Sequence, residues 1–196
     1  MPFALSPELV LAAYRQAIFP MALEEGEIGW FSPDPRGILP LESFHVPARL
    51  ARSLRREPFE IRIDHDFARV MRACAAARED EDGTWISDEI IECYVALHDA
   101  GHAHSVEAWR HDELAGGLYG VHLGGAFFGE SMFHRVTNAS KAALVALVDR
   151  LRTRGFTLLD TQWVTPHLTQ FGAIEISRAD YVHRLTGALK LPRTFT

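Results

Sequence analysis

The chain has 196 residues, of which 47% are hydrophobic, and a formal net charge of −6 at pH 7. This length and apolar content allow one full domain and a smaller lobe, so we expect a globular protein. The acidic balance is unusual for a nucleic-acid-binding protein, because Lys and Arg contacts to phosphates supply most of the affinity. Any contact with nucleic acid must therefore be made by a local basic surface.

The sequence also indicates the cellular compartment and the redox state of the cysteines. No apolar run approaches the length of a membrane span, and the N-terminal residues lack the charged start and long apolar segment of a signal peptide. Cys74 and Cys93 have neither metal-ligand spacing nor a disulfide framework, which fits a reducing environment. We expect the protein to stay in the cytoplasm, to contact no membrane and to bind no metal.

The first elements form an N-terminal lobe. Ser6 as N-cap and Pro7 at the first helical position predict a short helix. The segment IGWFSPDPRGILPL that follows is rich in Pro and Gly, which favours an irregular loop. It carries Trp30, Phe31 and Arg36. This loop is either functional or an aromatic plug that seals the small lobe.

A basic helix is predicted from Pro47 onward. Arginines recur at spacings of three and four residues, which places them on one stripe: Arg49, Arg52, Arg55 and Arg56. Such a stripe can follow an RNA phosphate backbone by shape. The alternative is an ordinary solvated helix face.

A strand over residues 59–64 and a helix with Val70, Met71 and Cys74 on its buried face come next. The acidic stretch 79–82 can attract the cationic groups of a substrate, or it is a solvated loop. A capped helix from Ser87 and a strand over residues 104–109 follow. Three histidines lie close in sequence there, but their spacing matches no metal motif, so packed or hydrogen-bonded histidines are expected: His98, His102 and His104.

The central stretch, residues 116–141, predicts a hairpin that leads into a helix. Gly124 and Gly125 suit a two-residue turn between strands over residues 118–123 and 126–133. A period of two puts Glu130 on one face with Phe128 and Met132, where a carboxylate needs an explanation.

A βαβ unit follows the hairpin. Thr137 or Asn138 can cap a helix that Gly155 ends, and residues 156–163 predict the next parallel strand. Asp160 and Gln162 are two apart and therefore share a face. Because ligands bind beyond the carboxyl ends of such strands, these polar residues and Glu130 mark a cleft. A short helix, a strand over residues 174–177, a helix capped by Ser177 and a frayed tail complete the chain.

These residues carry a family resemblance. The motifs YRQ-x-IFP, FSPDPR, TWIS, AHSVEAW, GGLYGV, FGESMF, NASKAAL and D-x-Q occur in this order between Tyr14 and Leu185. Together they resemble the leucyl/phenylalanyl-tRNA-protein transferases. The resemblance implies an α/β (α+β) fold, with a small N-terminal lobe over residues 1–62 and an N-acetyltransferase-like (GNAT) domain with a mixed, splayed sheet over residues 63–196.

The resemblance also implies the function. Members move leucine or phenylalanine, with methionine as a third candidate, from charged tRNA to the N-terminal amine of proteins that begin with Arg or Lys, which marks them for degradation. No coenzyme A or other cofactor is expected. The chain departs from the usual motifs at Ala17, Met21, Phe31 and His134, and in HLTQFGA, which bears on the choice among donor amino acids rather than on the reaction.

By the same resemblance, catalysis falls to Asp160, Gln162 and Glu130. The Gln162 amide oxygen would receive the incoming amine, Asp160 would polarise that amide, and Glu130 would orient the amine or the aminoacyl group. The positions expected to bind substrate are Trp30, Phe31, Trp85, Phe127, Phe128, Ser131, Met132, Asn138, Ser140 and Phe171. As core residues, the phenylalanines and Met132 would look the same in sequence. The expected tRNA contacts are Arg36, Arg49, Arg52, Arg55, Arg56 and Lys141.

Two other functions are compatible with this fold. The first is a coenzyme-A-dependent N-acetyltransferase, although residues 135–140 offer no glycine for close approach to a pyrophosphate. The second is a non-catalytic module that binds tRNA or peptide, which the pairing of Asp160 with Gln162 disfavours.

Overall fold

The structure is a computed structural model that describes residues 5–23, 26–79 and 84–196, without the side chains of residues 77–79. The acidic stretch 79–82 is therefore outside the side chains described. The helices are α1 (Pro7–Arg15), α2 (Ala48–Arg56), α3 (Phe67–Glu79), α4 (Asp88–Asp99), α5 (Ala139–Thr153), α6 (Pro166–Thr169) and α7 (Arg178–Leu189). The strands are β1 (Phe19–Ala22), β2 (Ile28–Phe31), β3 (Arg36–Ile38), β4 (Glu60–Ile63), β5 (Ala103–Arg110), β6 (Glu113–Leu123), β7 (Ala126–His134), β8 (Leu158–Gln162) and β9 (Ile174–Ile176).

The main sheet has seven strands in the order β4-β5-β6-β7-β8-β3-β9, and β1 and β2 form a separate antiparallel ribbon. The predicted hairpin is present as β6 and β7, with Gly124 in the left-handed region at φ 56°. The predicted βαβ unit is also present, because β7 and β8 are parallel and α5 connects them. Every other pair in the main sheet is antiparallel.

The expectation of an irregular loop over residues 28–41 was wrong. The loop contains β2, and it contains β3, which lies inside the main sheet between β8 and β9. Gly37 is a packing requirement there, since a Cβ at this position would lie 2.5 Å from the carbonyl carbon of Trp163. Hydrogen bonds to distant strands thus outweigh the weak strand preference of a Gly- and Pro-rich segment.

A boundary at residue 62 does not coincide with a gap between structural units. It falls inside β4, and both β3 and β4 belong to the main sheet. Although α1 and the β1–β2 ribbon are not part of this sheet, their residues pack in one apolar cluster with α3, α4 and α7.

The sheet opens between its two parallel strands. The ladder between β7 and β8 ends at Phe128 and Asp160, although β7 continues to His134 and β8 to Gln162. In the neighbouring ladder, Tyr119 faces Ser131 but Gly120 faces Gly129, so Glu130 is an extra residue in β7. This bulge reverses the alternation of side chains between the two sheet faces for the residues of β7 that follow it. The expectation that Met132 shares a face with Phe128 was therefore wrong, and the two side chains pack into different clusters.

Two apolar clusters cover the two faces of the sheet. One joins residues of α1, α3, α4 and α7, and the other joins residues of α5 with the segments before α2 and after β8. The C-terminal tail belongs to the second cluster, so the expectation that it frays was wrong. Phe195 is 0% exposed, its ring centroid lies 4.4 Å from that of His104, and Arg150 Nε donates to its carbonyl oxygen at 2.7 Å. Of the helices in the described part of the chain, none has the length and apolarity needed to cross a bilayer.

Candidate active site

A cavity of about 800 Å³ lies where β7 and β8 separate. Its wall is built from β6, β7, β8, the start of α5 and the turn into α6, and Phe19, Met21 and Trp85 line it from outside these elements. The volume is in the range of sites that enclose a small ligand. The sheet opening thus forms a cavity beside the end of β8.

One part of the wall is an apolar surface, which we name the leucine pocket. It consists of side chains of a single core cluster: Leu118, Met132, Leu144, Leu147, Leu159 and Leu168. Leu144 and Leu147 lie one turn apart on α5, which is why both face the sheet. This surface takes an aliphatic or aromatic side chain and offers it no hydrogen bonds.

Three of the phenylalanines expected in this pocket are core residues instead. Phe127, Phe128 and Phe171 are each 0% exposed and do not line the cavity. Phe127 packs on Phe195, Phe128 packs on Tyr14 and Phe171 stacks on Phe44, with ring centroids 5.2, 4.6 and 5.6 Å apart. The apolar wall of the cavity is formed by the leucine pocket instead. Met132 lines the cavity.

Glu130 is the buried carboxylate of the cavity wall. Its Oε1 accepts a hydrogen bond from Tyr14 Oη at 2.6 Å and one from Gln162 Nε2 at 3.2 Å. Burial raises the pKa of Glu130 to about 8, the charge of Asp160 adds to the rise, and the bonds from Tyr14 and Gln162 together with the charge of Arg36 oppose it. A carboxyl group with this pKa can both take up and release a proton near neutral pH.

Gln162 ends β8 and lines the cavity beside Glu130. Its backbone is in the left-handed region at φ 55°, and 6% of the residue is exposed. The main chain turns here so that the side-chain amide bonds Glu130 across the opening between the strands. Two residues from different strands, expected at a common site, are thus in direct contact.

Asp160 lies behind this contact and does not line the cavity. Its oxygens accept four hydrogen bonds, from Arg36 Nε at 3.0 Å, Arg36 NH2 at 2.6 Å, Tyr181 Oη at 2.6 Å and the Gln162 main-chain N–H at 2.9 Å. The expected polarisation of the Gln162 amide by Asp160 is therefore not observed. With all its acceptor sites occupied, Asp160 fixes the backbone of Gln162 instead.

Arg36 was expected to contact tRNA, and its burial contradicts this. The side chain is 1% exposed, forms the ion pair with Asp160, and donates from NH1 to the Ala17 carbonyl oxygen at 3.2 Å. Its guanidinium carbon lies 4.8 Å and 4.6 Å from the ring centroids of Phe19 and Tyr181. Arg36 thus connects the N-terminal segment to β8, and its burial keeps its N–H groups away from a phosphate.

The rim of the cavity near α5 is polar and basic. The residues that line it are Thr137, Asn138, Ser140, Lys141, His134 and His167. Burial lowers the pKa of His167, and Lys141 and His134 lower it further by charge. Asn138 occupies the N-cap position as predicted, but its side chain does not cap the helix. It is left-handed at φ 69° and donates from Nδ2 to Ser53 Oγ of α2 at 3.2 Å.

The remaining expected substrate residues divide into two groups. Trp85 and Ser131 line the cavity, whereas Trp30 and Phe31 do not. Trp30 is 40% exposed on β2, and Phe31 stacks on Phe19 at a centroid distance of 6.2 Å. The sequence reasoning missed Trp163, which follows β8 and lines the cavity. Its place directly after the D-x-Q motif was the available signal.

The histidines near β5 have structural partners. His104 bonds Asp64 Oδ2 at 2.7 Å and His122 Nδ1 at 2.9 Å, and His98 Nδ1 bonds the Ala103 carbonyl oxygen at 2.8 Å. Within the described ranges, no three metal-ligating side chains are arranged to hold an ion. The His104 ring also stacks on Phe195, and the His98 ring stacks on Phe67, with centroid distances of 4.4 and 4.5 Å.

The splayed mixed sheet, the helix that begins at its opening, and a cavity that joins an apolar pocket to buried polar groups define the class of fold: a mixed α/β domain of the N-acetyltransferase-like type. The family model described as leucyl/phenylalanyl-tRNA protein transferase matches residues 38–186, and the model of that family's N-terminal domain matches residues 3–34. The chain belongs to the leucyl/phenylalanyl-tRNA-protein transferase family and is a tRNA-dependent aminoacyltransferase.

A curated relative supports the same assignment. The leucyl/phenylalanyl-tRNA-protein transferase of Herpetosiphon aurantiacus is 56% identical over 192 residues, which cover 97% of this chain and 98% of that protein. The two family models meet between residues 34 and 38, where β3 begins.

Among solved structures, the chain matches L-PGS from Bacillus licheniformis with a TM-score of 0.50 and 9% identity, over 80% of this chain and 65% of that one. This likeness concerns the fold alone. A ribosomal-protein-alanine N-acetyltransferase from Brucella melitensis biovar Abortus 2308 matches with a TM-score of 0.39 and 16% identity, over 57% of this chain and 85% of that one.

Proposed function

We propose that the protein transfers leucine or phenylalanine, with methionine as a third donor, from charged tRNA to the N-terminal amine of proteins that begin with Arg or Lys. The observation that carries the proposal is that the leucine pocket and the Glu130–Gln162 contact line one cavity. An apolar donor side chain in the pocket would bring its ester carbonyl to the polar groups. Protein substrates that receive such a residue would be marked for degradation in the cytoplasm.

The reaction is aminolysis of an ester. The acceptor α-amine attacks the aminoacyl carbonyl, the new C–N bond forms, and the bond to the 3'-oxygen of the terminal adenosine breaks. The ester is already activated, so no enzyme nucleophile is needed. An α-amine with a pKa of about 8 loses its proton easily, whereas holding both reactants at attack distance contributes about 7 to 11 kcal/mol. Positioning therefore dominates the rate.

The polar residues have separate roles in this proposal. The Gln162 amide binds the incoming amine, and the Glu130 carboxylate takes up its proton, which then passes to the leaving 3'-oxygen. Because the pKa of Glu130 is raised to about 8 by burial, it matches that of the amine. Asp160 and Arg36 hold the turn at Gln162 in place. They contribute geometry and touch neither reactant.

The basic rim fits the acceptor end of the tRNA. Lys141, His134 and His167 face the cavity beside the start of α5, and α2, which Asn138 contacts, exposes its four arginines. Two buried atoms of the wall, Thr161 Oγ1 and His167 Nε2, have no hydrogen-bond partner in the parts of the chain that are described. Substrate groups can satisfy such atoms. The net charge of −6 makes this local basic surface the favoured contact.

The acceptor end of the site suits a cationic residue. The indole rings of Trp85 and Trp163 line the cavity. Aromatic faces attract guanidinium and ammonium groups. We therefore place the first residue of the acceptor protein, Arg or Lys, on the side of the cavity with these tryptophans.

The test is transfer of labelled leucine from charged tRNA to peptides that begin with Lys, Arg or Ala. We expect transfer to the Lys and Arg peptides only, and a loss of about 100-fold or more in Gln162→Ala and Asp160→Ala because positioning is lost. Gln16→Ala is the matched control, since this amide bonds the Ala12 carbonyl oxygen at the end of α1, outside the cavity. Equal transfer by Gln162→Ala and Gln16→Ala would contradict the assignment, and acetylation of the peptides by acetyl-CoA would favour the coenzyme-A reaction.

A further inference from the structure

We propose that Tyr14 and Tyr94 are positioning residues for the transfer reaction: their hydroxyl groups form a buried chain that orients the Glu130 carboxylate and sets its proton affinity. The proposal rests on the function proposed above. Tyr14 belongs to α1, so the N-terminal segment would complete the reaction centre rather than only contact a substrate.

The chain consists of two short hydrogen bonds. Tyr14 Oη donates to Glu130 Oε1 at 2.6 Å, and the Tyr14 and Tyr94 hydroxyl oxygens are 2.6 Å apart. Both tyrosines are 0% exposed. A phenol has one proton, and that of Tyr14 is directed at the carboxylate. Tyr94 must therefore donate to Tyr14, which fixes the direction of the whole chain from α4 through α1 to β7.

The tyrosines remain donors over the working pH range. Burial and the charge of Glu130 raise the pKa of Tyr14 and of Tyr94 well above the ordinary value. A donor bond to an ionised oxygen is stronger than one to a neutral oxygen, and a second donor behind the first strengthens it. Tyr94 would thus support the ionised form of Glu130 through Tyr14.

The surroundings of Glu130 show what Tyr14 changes. Gln162 of β8 also donates to the carboxylate, Arg36 of β3 favours its charge, and Asp160 of β8 opposes it. Tyr181 of α7 faces Asp160 and Arg36 rather than Glu130. The Tyr14 bond is the largest of the influences that lower the pKa of Glu130. Removal of this bond should destabilise the ionised form of Glu130 and leave its carboxylate free to rotate.

The experiment compares Tyr14→Phe, Tyr94→Phe and Glu130→Gln by the pH profile of kcat and by carbon NMR of the glutamate carboxyl groups. Tyr14→Phe should move the Glu130 midpoint upward by about one pH unit and lower kcat at pH 7 about tenfold, with recovery at higher pH. Tyr94→Phe should shift both in the same direction by less. The KM for charged tRNA should stay within about twofold, because neither hydroxyl lies on the basic rim.

Leu97→Ala is the control for lost packing, since Leu97 is a fully buried residue of α4 outside the hydrogen-bonded chain. It should leave the midpoint unchanged. The proposal is overturned if Tyr14→Phe and Tyr94→Phe lower kcat equally at every pH without moving the midpoint. It is also overturned if Glu130→Gln transfers at the parent rate. A parent protein that transfers nothing would instead reject the proposed function. Should Tyr14→Phe fold poorly, Tyr94→Phe decides the question alone.

Discussion

At the scale of single residues, the site consists of polar groups that are each held by a partner from another part of the chain. Gln162 contacts Glu130, Asp160 binds Arg36, and Tyr14 binds Glu130. The sequence indicated Glu130, Asp160 and Gln162, because polar residues at strand ends stand out against apolar neighbours. It did not indicate Tyr14 as their partner, since an N-terminal helix reaches β7 only through tertiary packing.

The raised pKa of Glu130 predicts a pH-dependent stability. Because the folded pKa of about 8 lies above the ordinary value of 4.5, the folded state binds this proton more tightly than the unfolded chain. The stability contributed by the group is complete below the unfolded pKa and is lost as the pH rises through the folded pKa. Glu130→Gln removes this titration. The free energy of unfolding of the variant should therefore rise, relative to that of the parent, by up to about 1.4 kcal/mol per pH unit between pH 5 and pH 8.

Urea unfolding at several pH values in this range measures the difference between Glu130→Gln and the parent. Glu60→Gln is the control, because Glu60 is an exposed carboxylate of β4 whose pKa is lowered by its bond to Arg62. Its difference from the parent should not grow with pH. A Glu130→Gln difference that is constant from pH 5 to pH 8 would show that Glu130 does not titrate in this range in the folded protein.

At the scale of elements, helices were easier to predict than the strands they cover. Ser6, Ser87 and Ser177 accept from main-chain N–H groups as caps, because capping depends only on local geometry. β3 was missed because its three residues gain their hydrogen bonds from β8 and β9, far along the chain. The bulge at Glu130 was missed for the same reason, because it arises from the pairing of β7 with β6 and not from the local sequence.

The exposed arginines of α2 predict a salt-dependent contact with tRNA. Replacement of Arg49, Arg52 and Arg55 by Gln should raise the KM for charged tRNA and lower the slope of log KM against log salt by about two to three. kcat at saturating tRNA should change little, since these side chains are outside the cavity. Transfer rates measured at several salt concentrations give both values.

A matched triple variant carries the same charge change elsewhere. Arg15, Arg72 and Arg184 are exposed on α1, α3 and α7, which pack on the other face of the sheet from α5. Their replacement by Gln should leave the salt slope unchanged. Equal effects of the two triple variants would mean that overall charge, rather than the α2 stripe, governs tRNA binding.

At the scale of the whole molecule, the N-terminal segment and the main sheet are one structural unit. Tyr14 bonds Glu130, the Ala17 carbonyl oxygen accepts from Arg36, and Phe19 packs against the Arg36 guanidinium. The sequence indicated the splayed sheet through the family resemblance. A separate lobe over residues 1–62 could not be tested from sequence, because the contacts that join the segment to the sheet are long-range.

These contacts predict a single cooperative unfolding transition. Thermal unfolding followed by far-UV circular dichroism and by tryptophan fluorescence should give coincident midpoints, because loss of the N-terminal segment would remove the Tyr14 hydroxyl from buried Glu130 and the Ala17 carbonyl oxygen from buried Arg36. Trp30 reports on the β1–β2 ribbon, and Trp109 reports on β5. Comparison of Trp30→Phe and Trp109→Phe with the parent isolates each of these two contributions from those of Trp85 and Trp163. An early transition seen only when Trp30 is present would indicate that the segment unfolds independently.

The left-handed backbone of Gln162 stores conformational strain at the candidate active site. A side chain with a Cβ costs about 1 kcal/mol in that region compared with glycine, and the fold tolerates the cost because Arg36 and Asp160 hold the turn. Part of the work of orienting a reactant is thus done during folding, before any substrate arrives. A residue without this backbone strain at position 162 would raise the stability of the fold but lower the turnover rate. Selection for thermal stability and selection for rapid turnover would therefore favour different residues at this position.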